Sequence, residues 1–119
     1  MAEHKHLRAL RRVHGARVVA LAEPDSGRLT HVAERFGIAH RYCGVRELLQ
    51  ARVADVVGVL VPPSQHAEVG VAAMDAGCHV LVEKPLALTL DDADSLVDSS
   101  RGATGRTLMG FHMRWHRLI

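Results

Sequence analysis

Four short apolar runs, separated by longer segments of mixed polarity, dominate the pattern of this chain. They lie at 16–22, 55–61, 79–83 and 106–112, and the second reads Asp-Val-Val-Gly-Val-Leu-Val. Runs that are this short and this continuous in apolar residues are typical of strands that a parallel sheet buries on both faces. The pattern therefore predicts four parallel strands of one sheet.

The segments between the runs have the spacing of amphipathic helices. One apolar stripe at helical intervals consists of Leu29, Val32, Ala33 and Phe36. Asp25 or Ser26 precedes this stripe as a candidate N-cap, and Gly37 follows it as a candidate end. A first helix is predicted over 3–14, with Leu7, Leu10 and Val13 on one side. Further helices are predicted over 45–50, 64–76 and 89–100, the last with Thr89 as its N-cap, and a short strand is predicted at 40–42.

Strands that alternate with helices of this length indicate parallel βαβ units and a doubly wound α/β fold. In such sheets, ligands bind beyond the carboxyl ends of the strands. Polar residues stand at those ends here, namely Glu23, the segment 62–66, the tripeptide 83–85 and, on the last strand, the segment 111–114. These positions are where we expect the chemistry of the protein.

Composition narrows the class of protein. The chain has 119 residues, enough for one domain, and a net charge of +2, too small to make nucleic acid its main partner. No apolar run approaches the length of a membrane span, and the N-terminus lacks the apolar core of a signal peptide. Cys43 and Cys78 form neither a disulfide framework nor a CxxC pair. These features predict a cytoplasmic protein.

Two stretches resemble signature segments of the Gfo/Idh/MocA oxidoreductase family. The first is PPSQHAEVGVAAMDAGCHVLVEKPLALTLDDA, in which a short polar segment leads into a helix and a later strand ends in Glu-Lys-Pro. The second is GFHMRWH, similar to the family strand that usually ends in Gly-Phe-x-x-Arg-Phe. Glu-Lys-Pro alone is weak evidence for the family, but its position after the helix and strand makes the resemblance specific. The similarity covers nearly all of the chain.

The resemblance implies a Rossmann-like nucleotide-binding domain that is incomplete. A family member begins with a strand and a GxGxxG/A turn, and residues 1–4 are similar to the end of that turn. The first strand, the glycine-rich loop and the C-terminal substrate domain are therefore expected to be missing, so that residues 1–119 form a partial NAD(P)-binding domain. We expect this chain alone to be neither an active dehydrogenase nor a stable monomer, because a missing central strand leaves two strand edges unpaired.

The resemblance also assigns cofactor contacts. The Glu23 carboxylate would accept hydrogen bonds from ribose hydroxyls and repel a 2′-phosphate, which favours NAD. NADP is the alternative, since the family usually has Asp at this position. Pro62, Ser64 and His66 resemble the loop near the nicotinamide ribose. Structural roles are open for two of them, because Ser64 could equally cap the next helix and His66 could simply occupy its first turn.

Lys84 is the candidate catalytic residue. The matching family lysine lies beside the nicotinamide and the reacting carbon, where an ammonium can stabilise developing alkoxide charge. Glu83 and Lys84 are also expected among the cofactor contacts. Glu83 would orient Lys84 or close the pocket, and Pro85 would define the turn that aims it. Arg114 matches the family arginine near the nicotinamide end of the cleft. The structural alternatives are a surface lysine at a strand end and a solvated arginine on an edge strand.

Nine histidines raise the question of a metal site. His4 and His6 are two apart on a predicted helix, so they point to different faces. His112 and His116 are four apart on a predicted strand, which separates them by roughly 13 Å. We predict no metal site.

The resemblance implies an NAD(P)-dependent oxidoreductase that moves hydride between nicotinamide and a sugar, inositol or related polyol. The expected partners are that small-molecule substrate and, in the full-length protein, further copies of the chain, with no nucleic acid and no membrane. Two alternatives remain open: a non-catalytic dinucleotide-binding regulator of the same fold, and a truncated reading frame without a function of its own.

Overall fold

The computed structural model describes residues 3–111. The strands are β1 (Ala20–Ala22), β2 (His40–Tyr42), β3 (Val56–Val59), β4 (His79–Glu83) and β5 (Thr107–Gly110). The α-helices are α1 (Arg8–Leu10), α2 (Ser26–Phe36), α3 (Val45–Ala51), α4 (His66–Asp75) and α5 (Leu90–Gly102). A π-helical turn at Glu3–Leu7 precedes α1, and a 3-10 turn at Pro63–Gln65 precedes α4.

The chain divides into an N-terminal unit, Met1–Ala54, and a C-terminal unit, Asp55–Ile119. In the N-terminal unit β1 and β2 pair in parallel, with Ala20 opposite His40. The core of this unit is a cluster of apolar side chains consisting of Leu7, Val32, Ala33 and Ile38, with Val18, Leu21 and Phe36 packed against them. The predicted stripe of α2 therefore faces a core, as its spacing required.

Both ends of α2 are determined by residues next to it in the chain. The side chain of Asp25 accepts a hydrogen bond of 2.9 Å from the backbone N–H of Arg28, which confirms the predicted N-cap. Gly37 closes the helix at φ 67°, a left-handed conformation that glycine adopts without a Cβ penalty.

The prediction of one helix over 3–14 is confirmed for 3–10, although its first turn is π-helical, and is wrong for 11–14. The π turn is followed by a single short α-helical segment that ends at Leu10, and Gly15 lies at φ +80°. Leu7 is 6% exposed, but Leu10 and Val13 are 39% and 51% exposed. Because the helical segment ends at Leu10, Val13 lies beyond it and not on the predicted helix face.

The C-terminal unit contains a three-stranded parallel sheet in the order β3-β4-β5. One face of β3 and β4 is buried and consists of Val57, Val59, Val80 and Val82. Helix α4 packs on both of these strands and on α5. A Cβ at Gly70 would lie 2.6 Å from Cδ2 of Leu96, so glycine at this position allows the close approach of α4 and α5.

The prediction that all four apolar runs share one sheet is wrong for the first run. β1 pairs only with β2, whereas β3, β4 and β5 form a separate sheet within the described residues. A sheet is continuous only where neighbouring strands exchange backbone hydrogen bonds. No strand within residues 3–111 pairs with both β1 and β3, so the backbone hydrogen bonding of the sheet does not continue from β1 to β3.

The two later helices begin in different ways. Ser64 does not cap α4, since it lies inside the 3-10 turn and the N-cap position is taken by Gln65, which makes no side-chain cap bond. The cap predicted for Ser64 is therefore wrong, and Pro63 begins the turn instead. Thr89 does cap α5, where its hydroxyl accepts from the N–H of Asp92 at 3.1 Å.

Candidate functional site

The end of β1 carries Glu23 in the N-terminal unit. Its backbone N–H continues the strand pairing by donating to the Tyr42 carbonyl at 3.0 Å. Oε1 of its side chain accepts from the N–H of Asp25 at 3.1 Å, and Oε2 lies 3.8 Å from Nε of Arg28. The carboxylate is thus held at the start of α2 by residues at most five positions away.

This carboxylate fits the ribose role that the family resemblance assigns to it. The Glu23 side chain is 31% exposed. A carboxylate offers about four lone-pair sites, of which the two local contacts use only part. The remaining sites are able to accept hydrogen bonds from a pair of vicinal hydroxyls, and the position just past a parallel strand is the expected one for such a ligand.

In the C-terminal unit, the chain leaves β3 through Val61 and Pro62 into the 3-10 turn. Pro62 and Ser64 are both exposed, and the Pro62 carbonyl accepts from the N–H of Gln65 at 2.9 Å. Two of the residues predicted to approach the nicotinamide ribose therefore lie on the surface of a tight turn at the carboxyl end of β3.

His66 differs from its neighbours because it is buried, with 1% of its surface exposed. Its Nδ1 lies 2.8 Å from the Pro85 carbonyl oxygen, and its Nε2 lies 2.9 Å from the Val61 carbonyl oxygen. The predicted place in the first turn of the helix is confirmed, since His66 is the first residue of α4. Both ring nitrogens are engaged by the main chain.

The end of β4 carries the tripeptide of the candidate catalytic lysine. Glu83 is half-buried, lies opposite Gly110 of β5, and accepts a hydrogen bond through Oε2 from the backbone N–H of Lys84. Lys84 and Pro85 are exposed, and the peptide bond between them is cis. Arg114 lies outside the described residues.

These contacts bring two of the predicted segments together. Parallel strands direct their carboxyl ends to the same edge of a sheet, and the ring nitrogens of His66 lie within hydrogen-bond distance of a carbonyl after β3 and a carbonyl after β4. Sequence reasoning identified His66 as a candidate but missed this connection. The available signal was a histidine within a helix whose other inward positions are apolar.

The described residues give no support to a metal centre, since no three His, Cys, Asp or Glu side chains among them lie close enough to share an ion. His112 and His116 lie outside the described residues. Burial of Cys78, and next the charge of Asp55, raise the pKa of that thiol above its usual value. Cys78 is therefore less reactive as a nucleophile than an ordinary thiol.

Parallel strands joined by helices, with polar groups beyond the strand ends, define a Rossmann-like nucleotide-binding domain. The chain belongs to the Gfo/Idh/MocA oxidoreductase family with an NAD-binding Rossmann fold, whose sequence profile matches residues 1–111. The predicted family and fold class are thereby confirmed. No helix in the described part of the chain is long and apolar enough to cross a membrane.

Relatives include sugar and inositol dehydrogenases. D-apiose dehydrogenase of Paraburkholderia graminis is 33% identical over 96% of this chain and 30% of its own length. Myo-inositol 2-dehydrogenase of Thermotoga maritima is 30% identical over 94% of this chain and 34% of its own length. The chain therefore spans about a third of the length of these relatives.

Solved structures agree with the fold. An oxidoreductase from Agrobacterium radiobacter, solved with NAD+, L-tartaric acid and magnesium, superposes with a TM-score of 0.88 at 27% identity. The match covers 92% of this chain and 32% of that chain.

Proposed function

We propose that this chain is the nucleotide-binding part of an NAD(P)-dependent oxidoreductase that acts on a sugar, inositol or related polyol. The observation that carries the proposal is the exposed Lys84, placed directly after β4 and flanked by main-chain anchors on both sides. The dehydrogenase relatives support this reaction class. In the proposed reaction, a carbinol C–H gives hydride to nicotinamide and the hydroxyl proton leaves to a base.

We assign the cofactor ribose to Glu23. Its partly exposed carboxylate has acceptor sites for the 2′- and 3′-hydroxyls and would repel a 2′-phosphate, so we expect a preference for NAD over NADP. Bound NAD would supply the hydride acceptor. Pro62, Ser64 and Arg114 are proposed as further cofactor contacts, whereas the two main-chain bonds of His66 point to a different role for that ring.

We assign substrate activation to Lys84. Its ammonium would donate a hydrogen bond to the substrate oxygen and stabilise the negative charge that develops there as the hydroxyl loses its proton. Glu83 holds the N–H of Lys84 and so would orient the residue. A second, substrate-binding domain, a cytoplasmic location and assembly into a homo-oligomer complete the proposal.

The test uses the complete gene product that contains residues 1–119. It is assayed by NADH absorbance with NAD+ or NADP+ against myo-inositol, D-apiose and D-xylose. We expect turnover with at least one polyol or sugar. We expect Lys84→Ala to lower kcat about 100-fold or more, with little change in the Kd of NAD+. Lys84→Arg, which keeps the charge, is the matched variant and should retain more activity than Lys84→Ala.

Glu23→Ala should weaken NAD+ binding and reduce the ratio of NAD+ to NADP+ affinity by about 10-fold, because the variant loses one charge-assisted hydrogen bond to the ribose. An unchanged ratio would remove Glu23 from the ribose role. Tight NAD+ binding without turnover of any polyol or sugar would instead favour a regulatory dinucleotide-binding protein. Absence of both binding and turnover would contradict the proposal as a whole.

A further inference from the structure

The ring of His66 connects the ends of two neighbouring strands. Its partners, the carbonyls of Val61 and Pro85, are 5 and 19 residues away in the sequence. Val61 follows β3 and Pro85 follows β4, and the last pair of the ladder between these strands is Val59 with Val82. The side chain therefore joins the two chains beyond the point where backbone pairing stops.

The burial of this ring makes the connection costly to lose. His66 is 1% exposed, whereas the other inward positions of α4 are apolar or glycine. A polar ring in such surroundings requires hydrogen-bond partners, because a buried donor without a partner has lost its hydrogen bonds to water and gained none in return. An imidazole donates to one carbonyl when it is neutral and to both when it is protonated.

Lys84 stands directly between two anchors of its main chain. On its N-terminal side, the N–H of Lys84 donates to the Glu83 carboxylate, one residue beyond Val82 in the strand. On its C-terminal side stands Pro85, which has no backbone N–H to donate. Its carbonyl is the group that can form a main-chain hydrogen bond, and this carbonyl faces Nδ1 of His66. Because Lys84 is exposed, packing restrains it little, and the contacts of its main chain become the main restraint on its position.

We propose that His66 is a positioning residue for Lys84, acting through the Pro85 carbonyl. This inference rests on the proposed function, because it concerns the same lysine. His66 would hold the Lys84–Pro85 segment against the end of β3, so that the ammonium meets the substrate oxygen in one place. Under this proposal, His66 positions Lys84 and does not contact the cofactor itself.

Two variants in the complete gene product test the proposal. His66→Phe keeps an aromatic ring, although a larger one, and removes both ring nitrogens, whereas His66→Gln keeps a side-chain amide that can donate hydrogen bonds. We expect His66→Phe to lower kcat about 10- to 100-fold with a smaller change in the KM for NAD+, since a displaced group loses its alignment with the reacting atoms. His66→Gln should recover part of the loss.

Val69→Ala is the matched control, because Val69 is buried in the same helix and makes no polar link to the 84–85 segment. Equal losses of kcat in Val69→Ala and His66→Phe would overturn the inference, since both would then report general packing. A double-mutant cycle with Lys84→Ala discriminates better, because it measures the coupling between the two residues directly. We expect His66→Phe to change kcat less than about 2-fold in the Lys84→Ala background, and losses that multiply would contradict a role through Lys84.

Hydrogen exchange supplies a readout that does not depend on turnover. In His66→Phe, the amide of Lys84, which donates to the Glu83 carboxylate, should exchange about 10-fold faster or more, with a smaller change in Val69→Ala. Unchanged exchange at this amide would overturn the inference. If no substrate is turned over, the proposed function fails by itself, and the exchange rates still decide whether His66 holds this segment.

Discussion

The segments at the ends of β1 and β4 both include a glutamate, yet contacts of different range hold the two segments. Glu23 bonds to Asp25 and faces Arg28, both within five residues. The segment after β4 depends on His66, which lies 19 residues before Pro85. The first arrangement needs only a strand that runs into a helix, whereas the second needs β3, α4 and β4 to be packed together.

This difference has a functional consequence under the proposed roles. A ribose contact tolerates a partly exposed carboxylate, because hydroxyls can be met by several carboxylate orientations. A group that touches the reacting atoms requires a defined position, since small displacements cost large factors in rate. The more extensive tertiary support is therefore found where the chemistry is proposed.

The largest effect on stability is expected from Gly105→Ala in the C-terminal unit. A Cβ at this position would overlap the backbone carbonyl oxygen of Cys78, just before β4. Backbone cannot move aside as a flexible side chain can, so we expect a loss of about 1–3 kcal/mol in the free energy of unfolding. Urea denaturation measures the loss, with Gly102→Ala as the control, since a Cβ there meets nothing within 4 Å.

Gly105→Ala also tests whether the ends of β1 and β4 depend on different contacts. It should raise hydrogen exchange at Lys84, which depends on packing between strands, more than at Asp25, whose contacts are local. Equal increases at the two amides would show that the two strand ends depend on the same tertiary packing.

A smaller effect is expected from Asp25→Ala at the end of β1. The variant removes the acceptor for the N–H of Arg28 at the start of α2, and loss of such a cap costs about 1 kcal/mol. Asp25→Ser, which keeps a capping oxygen, should lose only part of this. A loss in the Ser variant equal to that in the Ala variant would show that the cap bond is not the source of the effect.

The smallest effect is expected from Arg28→Gln. The Arg28–Glu23 pair is separated by 3.8 Å with side chains 54% and 31% exposed, and exposed pairs contribute about 1 kcal/mol or less. The midpoint of urea unfolding should shift only slightly, and less in 0.5 M salt than in 0.05 M salt, roughly as screening predicts. A large loss that salt does not reduce would mean that Arg28 supports this strand end by packing.

Much of the local structure could be predicted from the sequence. The cap at Asp25, the end at Gly37 and the cap at Thr89 are interactions between residues at most four positions apart. Strand β4 was predicted with its observed limits, because His79 to Glu83 is bounded by a glycine-terminated helix and a proline. The family resemblance was also contained in these local patterns.

The tertiary structure alone decided three other features. The first helix ended at Leu10, which left Val13 beyond it and exposed. The pairing of β1 with β2 alone separated the strands into two sheets. The ring of His66 found its partners after β3 and β4. Sequence patterns report which residues favour burial and where helices begin and end, because those preferences act over a few residues. Which strands exchange hydrogen bonds, and which buried polar group meets which carbonyl, depends on chains that fold against one another from distant positions.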